Sequence, residues 1–540
     1  MTAKSIPDPV AEGIASGWIA HDASALDRDL RLDADVAIVG TGAGGGTAAE
    51  ILAKAGLRVV MIEEGPLRSS RDFRMREAEA YPHLYQESAG RKTKDKGINI
   101  LQGRCVGGST TINWTASFRT PPGTLGYWQQ AFGLKELTVD ELAPWFEMME
   151  RRLNIEPWAV APNENNDILR RGAAKLGIPA ATMRRNVKGC WNLGYCGEGC
   201  PTNAKQSMLV TTIPAALSVG AVLVSRARAE RLILDKSRVT GLECAALDVA
   251  GLRPGPHKVI VNARHFVLAA GAIGSPALLL RSQAPDPHGR IGVRTFLHPT
   301  CVSAAVMPDR VDGYAGAPQS AYSDHFLETQ PIDGPIGYKL EVPPLHPLLM
   351  ATTLQGYGAA HAQLMAQMPY TQATIALQRD GFHELSQGGR VLLKSDGAPL
   401  LDYRLTDFVW DGLRRAYLTM AEIQFAAGAK TVLPIHEDGV AYSSWPVARE
   451  AIQALEMKVL KAHVVSAHVM GGCGMGGDEN TSVVNAEGRH HHLENLSVLD
   501  GSVFPTSVGA NPQLSIYGLT ARQASLLATH LTGKPAPVLA

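Results

Sequence analysis

The chain has 540 residues, which is too long for one simple hydrophobic core, so we expect two or three domains. Basic and acidic residues number 51 each, so the formal net charge is zero, and neither nucleic acid nor an anionic membrane is indicated as a partner. The seven cysteines are odd in number and scattered, which argues against a secreted disulfide scaffold.

No targeting or membrane segment is expected from the sequence. Met1–Leu30 has no apolar stretch after a basic one, as a signal peptide would. The longest uncharged apolar stretch, Phe266–Leu280, contains two glycines and a proline and falls short of the roughly 20 residues of a membrane helix. We therefore expect a cytoplasmic protein without a transmembrane segment, and peripheral association with a membrane stays open.

The first recognisable unit is a strand, a glycine-rich turn, a helix and a second strand. Asp35–Val39 is a short apolar run typical of a buried strand, and it leads into the G-x-G-x-x-G motif of Gly40–Gly45. A helix is predicted from about Ala43 to Ala55. Leu57–Ile62 is predicted as the next strand and is followed by Glu63.

This order of elements predicts a dinucleotide site. Gly40 permits the tight turn, Gly42 lets a pyrophosphate approach the backbone, and Gly45 lets the helix pack closely on the strand. The helix N-terminus presents free N–H groups to phosphates, and Glu63 lies where an acid accepts a hydrogen bond from a ribose hydroxyl. The alternative is a glycine-rich turn in another α/β sheet, and the motif does not separate NAD from FAD.

Three later segments have equally plain patterns. Gly103–Asn113 is a second glycine-rich segment, which is typical either of chain lying flat on a large ligand or of a surface loop. Thr138–Leu153 is predicted as an amphipathic helix with a capping box of Thr138 and Glu141. Phe266–Leu268 is predicted as a strand that enters a glycine turn and a helix.

A cluster of cysteines and a run of histidines could suggest metal sites, but neither carries a full ligand set. Cys190, Cys196 and Cys200 lack a fourth ligand nearby, so reduced, packed thiols are favoured over an iron–sulfur or zinc site, with one disulfide as the alternative. His490–His492 is interpreted as a solvated turn. We therefore expect no metal.

The candidates for chemistry lie near the far end. His468 begins the segment H-V-M-G-G-C-G-M-G, and Asn511 begins Asn-Pro-Gln. Between them Leu496–Leu499 is predicted as a buried strand. An imidazole has an ordinary pKa of about 6.5 and is largely neutral near pH 7, which suits a general base. With 17 histidines in the chain, His468 is distinguished only by its flanking motif.

Together these segments resemble the glucose–methanol–choline (GMC) oxidoreductase family. Five motifs of that family occur here in the family's order, from about residue 35 to 525. They are the G-x-G-x-x-G start, the glycine-rich Gly103–Asn113, the G-A-x-x-S-P segment from Gly271, the histidine segment from His468 and the V-x-D-G-S strand end at 498–502. The departures are Gly474 where an arginine is usual, Gln283 where a glycine often closes the third motif, and Phe118 one residue later than the usual aromatic.

The resemblance implies FAD, not NAD, and assigns residues to it. The family's pattern places the following residues on the cofactor: Gly40, Gly42, Gly45 and Glu63 at the ADP half; Ala229 at the adenine; Arg104, Gly107, Gly108, Ser109 and Asn113 along the pyrophosphate and ring; Asp500, Gly501, Asn511 and Pro512 at the ribityl chain and ring edge. Members that bind flavin covalently use a histidine in the second motif. Arg91–Asn113 contains none, so we expect noncovalent FAD.

The resemblance also implies the reaction and the architecture. His468 would take the hydroxyl proton of a moderately apolar alcohol, Asn511 would bind the substrate oxygen, and flavin N5 would accept hydride. The electron acceptor stays unassigned: oxygen, a quinone or another acceptor. Alternatives are a non-redox hydroxynitrile-lyase-like member and a flavoprotein subunit of a membrane electron-transfer complex. The cysteine segment is similar to ones in long-chain alcohol oxidases and in some bacterial sugar-acid dehydrogenases.

The expected fold class is α/β, with an α+β arrangement for the chain as a whole. A Rossmann-like FAD-binding domain would be assembled from residues 30–118, 200–298 and 462–540. A substrate domain with a mostly antiparallel sheet and helices would comprise residues 119–199 and 299–461.

Overall fold

A computed structural model describes residues 6–539. Its strands, in chain order, are β1 (Ile19–Asp22), β2 (Leu30–Val39), β3 (Val59–Ile62), β4 (Ile98–Ile100), β5 (Ile155–Pro157), β6 (Ala181–Thr182), β7 (Arg184–Asn186), β8 (Val222–Ser225), β9 (Ala227–Asp235), β10 (Arg238–Leu247), β11 (Pro254–Leu268), β12 (Val293–Phe296), β13 (Thr300–Val306), β14 (Ala321–Ser323), β15 (Tyr338–Glu341), β16 (Thr371–Gln378), β17 (Gly389–Leu393), β18 (Pro399–Asp402), β19 (Thr431–Pro434), β20 (Val464–Ser466), β21 (Met470–Gly471) and β22 (Leu496–Val498).

The helices are interspersed among these strands. They are α1 (Pro9–Ala15), α2 (Ala43–Lys54), α3 (Glu77–Leu84), α4 (Ser109–Ile112), α5 (Pro122–Phe132), α6 (Val139–Arg152), α7 (Glu164–Lys175), α8 (Thr212–Leu217), α9 (Gly271–Arg281), α10 (Pro347–Thr353), α11 (Gly358–Ala366), α12 (Asp407–Ala426), α13 (Trp445–Ala454) and α14 (Gln513–Thr532). None of the helices within residues 6–539 combines the length and the apolarity that crossing a lipid bilayer requires.

The first sheet carries the glycine-rich turn. Its strands lie in the order β1-β8-β3-β2-β11-β10-β9, with β22 also on β11. The pairs from β1 to β11, and the pair β11–β22, are parallel, whereas β10 pairs antiparallel with both neighbours. β3 and the last four or three residues of its neighbours in the sheet centre, 36–39 of β2 and 266–268 of β11, are apolar and buried, and α2 packs against α14 and α8. This confirms the predicted α/β fold and its Rossmann-like unit.

The predicted opening elements agree with the structure to within a few residues. The strand predicted at Asp35–Val39 is the end of β2, which begins earlier, at Leu30. The helix predicted from Ala43 is α2. The helix predicted over Thr138–Leu153 is α6, and Thr138 caps it by accepting the N–H of Glu141 at 3.1 Å. Only this half of the predicted capping box is formed.

The second sheet, in the order β4-β20-β13-β16-β15-β14-β6 with β19 also on β13, is antiparallel except for β20 and β4. α12 packs across β13, β16 and β19, and α7 packs beside α12, so the sheet has helices against it as expected. A third sheet, β18-β17-β12-β21, is antiparallel. β4 and β20 lie in segments that the sequence assigned to the FAD-binding domain, and the domain boundaries stay a proposal. β20 ends two residues before His468 and so places that residue beside the second sheet.

Candidate active site

Two glycines of the first motif are required for different reasons. A Cβ on Gly45 would lie 1.9 Å from the carbonyl oxygen of Gly40, so close packing within the chain excludes any side chain there. A Cβ on Gly42 would meet nothing nearer than the Cα of Gly108, at 3.9 Å, and its φ of −70° suits any residue. Packing of the chain itself therefore does not explain Gly42. A ligand lying against this Cα would explain it, as a pyrophosphate does in dinucleotide-binding turns.

The start of α2 offers the donors that such a phosphate needs. Gly42 precedes the helix, and no side chain caps its first N–H groups. Free N–H groups and the positive end of the helix dipole at such a helix start favour the binding of an anion. Gly107 donates its N–H to the Thr41 hydroxyl at 3.0 Å, and Gly108 lies against Gly42, so the second glycine-rich segment adjoins the first. The structure thus brings together two motifs that the sequence separates by some sixty residues.

Glu63 lies at the carboxyl end of β3 with both oxygens engaged. One oxygen accepts the N–H of Thr41 at 3.1 Å and its hydroxyl at 2.7 Å, and the other accepts the N–H of Gly65 at 2.9 Å. Burial raises the pKa of Glu63, and these hydrogen bonds oppose the rise. Each carboxylate oxygen has more than one acceptor direction, so a ribose hydroxyl can still donate to Glu63.

Four other assigned residues have partners within the chain. Arg104 donates to Glu64 at 2.9 Å and also contacts the carbonyl oxygen of Gly251. The carbonyl of Ala229 accepts from Arg281 at 2.9 Å. The amide nitrogen of Asn113 donates to Gln513 at 2.7 Å. Ser109 begins α4 and accepts the N–H of Gly103 at 2.9 Å.

Asp500 organises the end of β22. Its carboxylate accepts from the N–H of Gly271 at 2.8 Å, the hydroxyl of Ser275 at 2.6 Å and the N–H of Ser502 at 2.8 Å. Burial raises the pKa of Asp500, and these donors oppose the rise. Gly501 begins the short 3-10 turn that follows, and Pro512 immediately precedes α14, whose first N–H groups also lack a side-chain cap.

His468 has a histidine partner that the sequence did not predict. Its Nδ1 lies 3.2 Å from Nδ1 of His298, and Nε2 of His298 accepts the N–H of Gly509 at 3.1 Å. Because Nε2 of His298 accepts, a neutral His298 carries its proton on Nδ1 and donates it to Nδ1 of His468. The neutral His468 then carries its proton on Nε2. Within residues 6–539 this Nε2 makes no hydrogen bond, and the half-buried ring leaves it accessible.

The surroundings keep both rings neutral. Burial, with added repulsion from the Lys339 ammonium, lowers the pKa of His468 to about 3. Burial and the neighbouring His468 hold the pKa of His298 well below the ordinary value. A neutral His468 is therefore present at any pH near 7, which a base requires. The same low pKa makes the ring a weak proton acceptor until a bound substrate or cofactor changes its environment.

Asn511 is fixed by two charged residues on β15. Its Oδ1 lies 3.5 Å from Nζ of Lys339, and its Nδ2 donates to Glu341 at 3.2 Å. An amide nitrogen has two N–H groups, so one remains for a substrate oxygen. Lys339 lies against Asn511 and near enough to His468 to lower its pKa, so the two predicted catalytic residues share one neighbourhood.

His298, Lys339 and Glu341 are not among the residues predicted from the sequence. For Lys339 and Glu341 the sequence contains one indication. These opposite charges are two residues apart and stand directly before the uncharged stretch from Val342 to Gln378. In a strand, residues two apart lie on one face, so this pattern indicates a buried pair. For His298 the sequence offers only the following Pro299, which does not reveal its partner.

Lys205 connects the cysteine segment to the second glycine-rich segment, Gly103–Asn113. Its buried ammonium donates to the carbonyl oxygens of Thr111 at 2.8 Å, Asn113 at 2.7 Å and Cys196 at 2.6 Å. Cys190, Cys196 and Cys200 are free thiols. Among residues 6–539 no group of three or more histidine, cysteine or acidic side chains is arranged to hold a metal ion.

The interpretation of His490–His492 as a solvated turn is wrong for His490. The residue is 5% exposed, and its backbone N–H donates to the carbonyl oxygen of Leu496 at 3.0 Å, which draws His490 against β22. Burial, together with His492 and His491, lowers the pKa of His490 to about 4.

Comparisons with known proteins agree on one family. Family models described as GMC oxidoreductase match residues 81–300 and 385–520. An uncharacterized GMC-type oxidoreductase of Sinorhizobium fredii is 29% identical, covering 94% of this chain and 96% of its own. A long-chain-alcohol oxidase of Arabidopsis thaliana is 28% identical, covering 93% of this chain and 68% of its own. The solved structure of pyridoxine 4-oxidase from Mesorbium loti shares the fold, with a TM-score of 0.66 at 18% identity, covering 91% of this chain and 98% of that chain.

Proposed function

The chain belongs to the GMC oxidoreductase family, and from this we propose that it oxidises the CH–OH group of an alcohol to an aldehyde or ketone, using noncovalently bound FAD. Membership supports an oxidoreductase that acts on alcohol-type substrates. The observation that carries the finer proposal is the hydrogen-bonded link from His468 through His298 to Gly509, two residues before Asn511.

His468 and Asn511 have separate roles in this proposal. Asn511 donates to the substrate oxygen through the N–H that Glu341 leaves free, and this fixes the CH–OH group beside His468. His468 takes the hydroxyl proton on Nε2. FAD, when bound, supplies the hydride acceptor.

The base role requires a change of tautomer. Nε2 of His468 accepts a proton only when the ring carries its own proton on Nδ1, which then donates to Nδ1 of His298. His298 must in turn hold its proton on Nε2 and give up the hydrogen bond from Gly509. We propose that the bound substrate and cofactor favour this second arrangement.

The test is reduction of the flavin by alcohols in the absence of oxygen. The purified holoenzyme is mixed with a panel of alcohols, and the visible flavin absorbance is followed for the natural chain, His468→Gln and the matched control His463→Gln. Bleaching that is lost only in His468→Gln supports the proposal, and readmitted air then separates an oxidase from a dehydrogenase.

Three results would contradict parts of the proposal. Protein that purifies without flavin would exclude the flavoenzyme. Flavin that no alcohol bleaches would favour a non-redox, lyase-like member. Flavin that stays with the protein after acid precipitation would exclude noncovalent binding.

A further inference from the structure

Asp380 is a buried acid whose carboxylate binds the backbone of His298. It lies two residues beyond the end of β16 and is 0% exposed. The carboxylate accepts the N–H groups of Leu297 at 3.0 Å and of His298 at 3.1 Å, together with the hydroxyl of Tyr403 at 2.7 Å. Burial raises the pKa of Asp380, and these hydrogen bonds oppose the rise. Three donors around one carboxyl group favour its ionised form.

His298 needs such support because its backbone is strained. Its φ of 46° lies in the left-handed region, which a residue with a Cβ rarely adopts. A backbone of this kind persists only where its surroundings hold it in place. Asp380 holds the N–H of His298, and Thr300 donates its hydroxyl to the His298 carbonyl at 2.7 Å. The Asp380 carboxylate therefore helps to fix the direction in which the His298 ring points.

The same carboxylate is connected to His468 by three successive hydrogen bonds. Oδ2 of Asp380 accepts the N–H of Leu297, and the carbonyl of Leu297 accepts the hydroxyl of Ser466. The oxygen of that hydroxyl accepts the N–H of His468 at 3.2 Å. Ser466 is 1% exposed, so this chain of hydrogen bonds lies in the protein interior, where such bonds strengthen one another.

Asp380 also holds the loop that supplies the donor to the His298 ring. Its backbone carbonyl accepts the hydroxyl of Ser507 at 2.6 Å. Gly509, two residues later, donates its N–H to Nε2 of His298 at 3.1 Å. One residue thus fixes the backbone of His298, the donor to its ring and, through Leu297, the backbone of His468.

We propose that Asp380 is the positioning residue of the histidine pair, which keeps the rings of His298 and His468 in register so that the proton between their Nδ1 atoms can change sides. This rests on the proposed function, in which Nε2 of His468 accepts a proton only after that change. The two histidines are 170 residues apart in the chain, and their Nδ1 atoms are 3.2 Å apart in the fold. A proton moves between two nitrogens only while they stay aligned at hydrogen-bond distance.

The test replaces the carboxylate by a group of the same shape. In Asp380→Asn one oxygen becomes an NH2 group, so a donor faces the donors of Leu297 or His298 and one of these links is lost. The holoenzyme is reduced without oxygen by the alcohol that bleaches its flavin fastest. We expect the limiting rate to fall by up to about 100-fold, as a small misplacement of reacting groups can cause. The apparent KM should stay nearly unchanged, because Asp380 does not bind the substrate.

Glu77→Gln is the matched control. Glu77 is also a buried acid, and it accepts two consecutive backbone N–H groups, of Leu348 and Leu349, together with the hydroxyl of Tyr81. Its replacement disturbs the same kinds of hydrogen bond, here between α3 and α10. It should lower Tm about as much as Asp380→Asn does and leave the rate of flavin reduction near that of the natural chain. An equal loss of rate in both variants would overturn the inference.

A second variant changes less of the core. Ser466→Ala removes only the hydroxyl between Leu297 and His468, and it should also slow flavin reduction. If Asp380 acts on His468 through this hydroxyl, the variant with both substitutions is slowed by less than the product of the two single factors. Single factors that multiply would overturn this route from Asp380 to His468.

Nitrogen-15 NMR of the histidine rings gives a readout without turnover. We expect one tautomer of His298 in the natural chain and a mixture in Asp380→Asn, because the N–H of Gly509 is then no longer held in place. A single tautomer in Asp380→Asn, with only Tm lowered, would overturn the inference.

The outcomes separate this inference from the function on which it rests. Mixed tautomers in Asp380→Asn, with no bleaching of the natural chain by any alcohol, would support the inference and contradict the proposed function. Bleaching that is lost in His468→Gln but unchanged in Asp380→Asn would support the function and overturn the inference.

Discussion

His298 and His468 face each other through their Nδ1 atoms, 3.2 Å apart, and the N–H of Gly509 fixes which ring donates. We predict that nitrogen-15 NMR of the histidine-labelled enzyme shows His298 protonated on Nδ1 and His468 on Nε2 in the absence of substrate. A nonreactive substrate analogue should move the His468 proton toward Nδ1. Spectra in which His468 carries its proton on Nδ1 from the start would contradict this assignment.

Replacing His298 should slow the reaction through His468. His298→Phe keeps a ring of similar size but removes both nitrogens, so nothing fixes the His468 proton. We expect flavin reduction by alcohol to slow about 100-fold, the low end of what a proton-transfer group contributes, with a changed pH profile of kcat. A variant with a lower Tm but an unchanged rate and pH profile would assign His298 a purely structural role.

Two glycine substitutions should separate cofactor binding from folding. Gly42→Ala adds a methyl group where the chain leaves room, so the apoprotein should unfold at nearly the same temperature while FAD binds about 10–100-fold more weakly. Gly45→Ala forces a methyl group against the Gly40 carbonyl and should destabilise the apoprotein by about 1–3 kcal/mol. Thermal unfolding and FAD titration measure both, and FAD bound normally by Gly42→Ala would exclude the phosphate site.

We expect Asp500 to stabilise the folded protein even when no cofactor is bound. Asp500→Ala leaves three donors, on Gly271, Ser275 and Ser502, without their acceptor in a buried place. At about 1–3 kcal/mol for each buried group left unpaired, we expect a loss of at least 2 kcal/mol in the free energy of unfolding. Denaturant unfolding measures it, with exposed Asp478→Ala as the control. Equal stability of the two variants would show that water replaces the carboxylate.

His265 should make the fold sensitive to acid. It is 3% exposed beside Ser497, and burial, together with the charges of Arg489, His530 and Arg238, lowers its pKa to about 3. Below the ordinary pKa of about 6.5 the unfolded chain binds a proton that the folded chain excludes. The neutral His265 therefore contributes fully to the free energy of unfolding above that pH, and this contribution is lost as the pH falls toward 3.

The measurement is a comparison of unfolding at two pH values. Between pH 7 and about pH 4.5 the natural chain should lose roughly 2–3 kcal/mol more than His265→Gln, as linkage requires for this shift. His83→Gln, an exposed position, should behave as the natural chain does. A constant stability difference between the natural chain and His265→Gln at both pH values would contradict the prediction.

The strand–turn–helix unit of β2, the glycine turn and α2 could be predicted because it is local in sequence. β2, the turn and α2 follow one another within 25 residues, and each has its own periodicity. The contacts of His468 could not be predicted, because His298 reaches it from 170 residues away and no local pattern encodes that distance. The same holds for Asn511, because its orientation depends on Lys339 and Glu341, which lie on β15 of the second sheet. The site residues, the domain boundaries and the cytoplasmic location stay predictions.

The position of β22 has a consequence for synthesis. This strand pairs with β11, and α14 after it packs on α2, so the last tenth of the chain completes a sheet that the first tenth begins. While the chain is being made, the N-terminal strand–turn–helix unit exposes apolar surface until residues 496–532 leave the ribosome. Contacts of such long sequence separation form slowly, and the waiting surface is prone to aggregation. Low temperature during expression, or a chaperone, should therefore raise the yield of folded protein more than added FAD does.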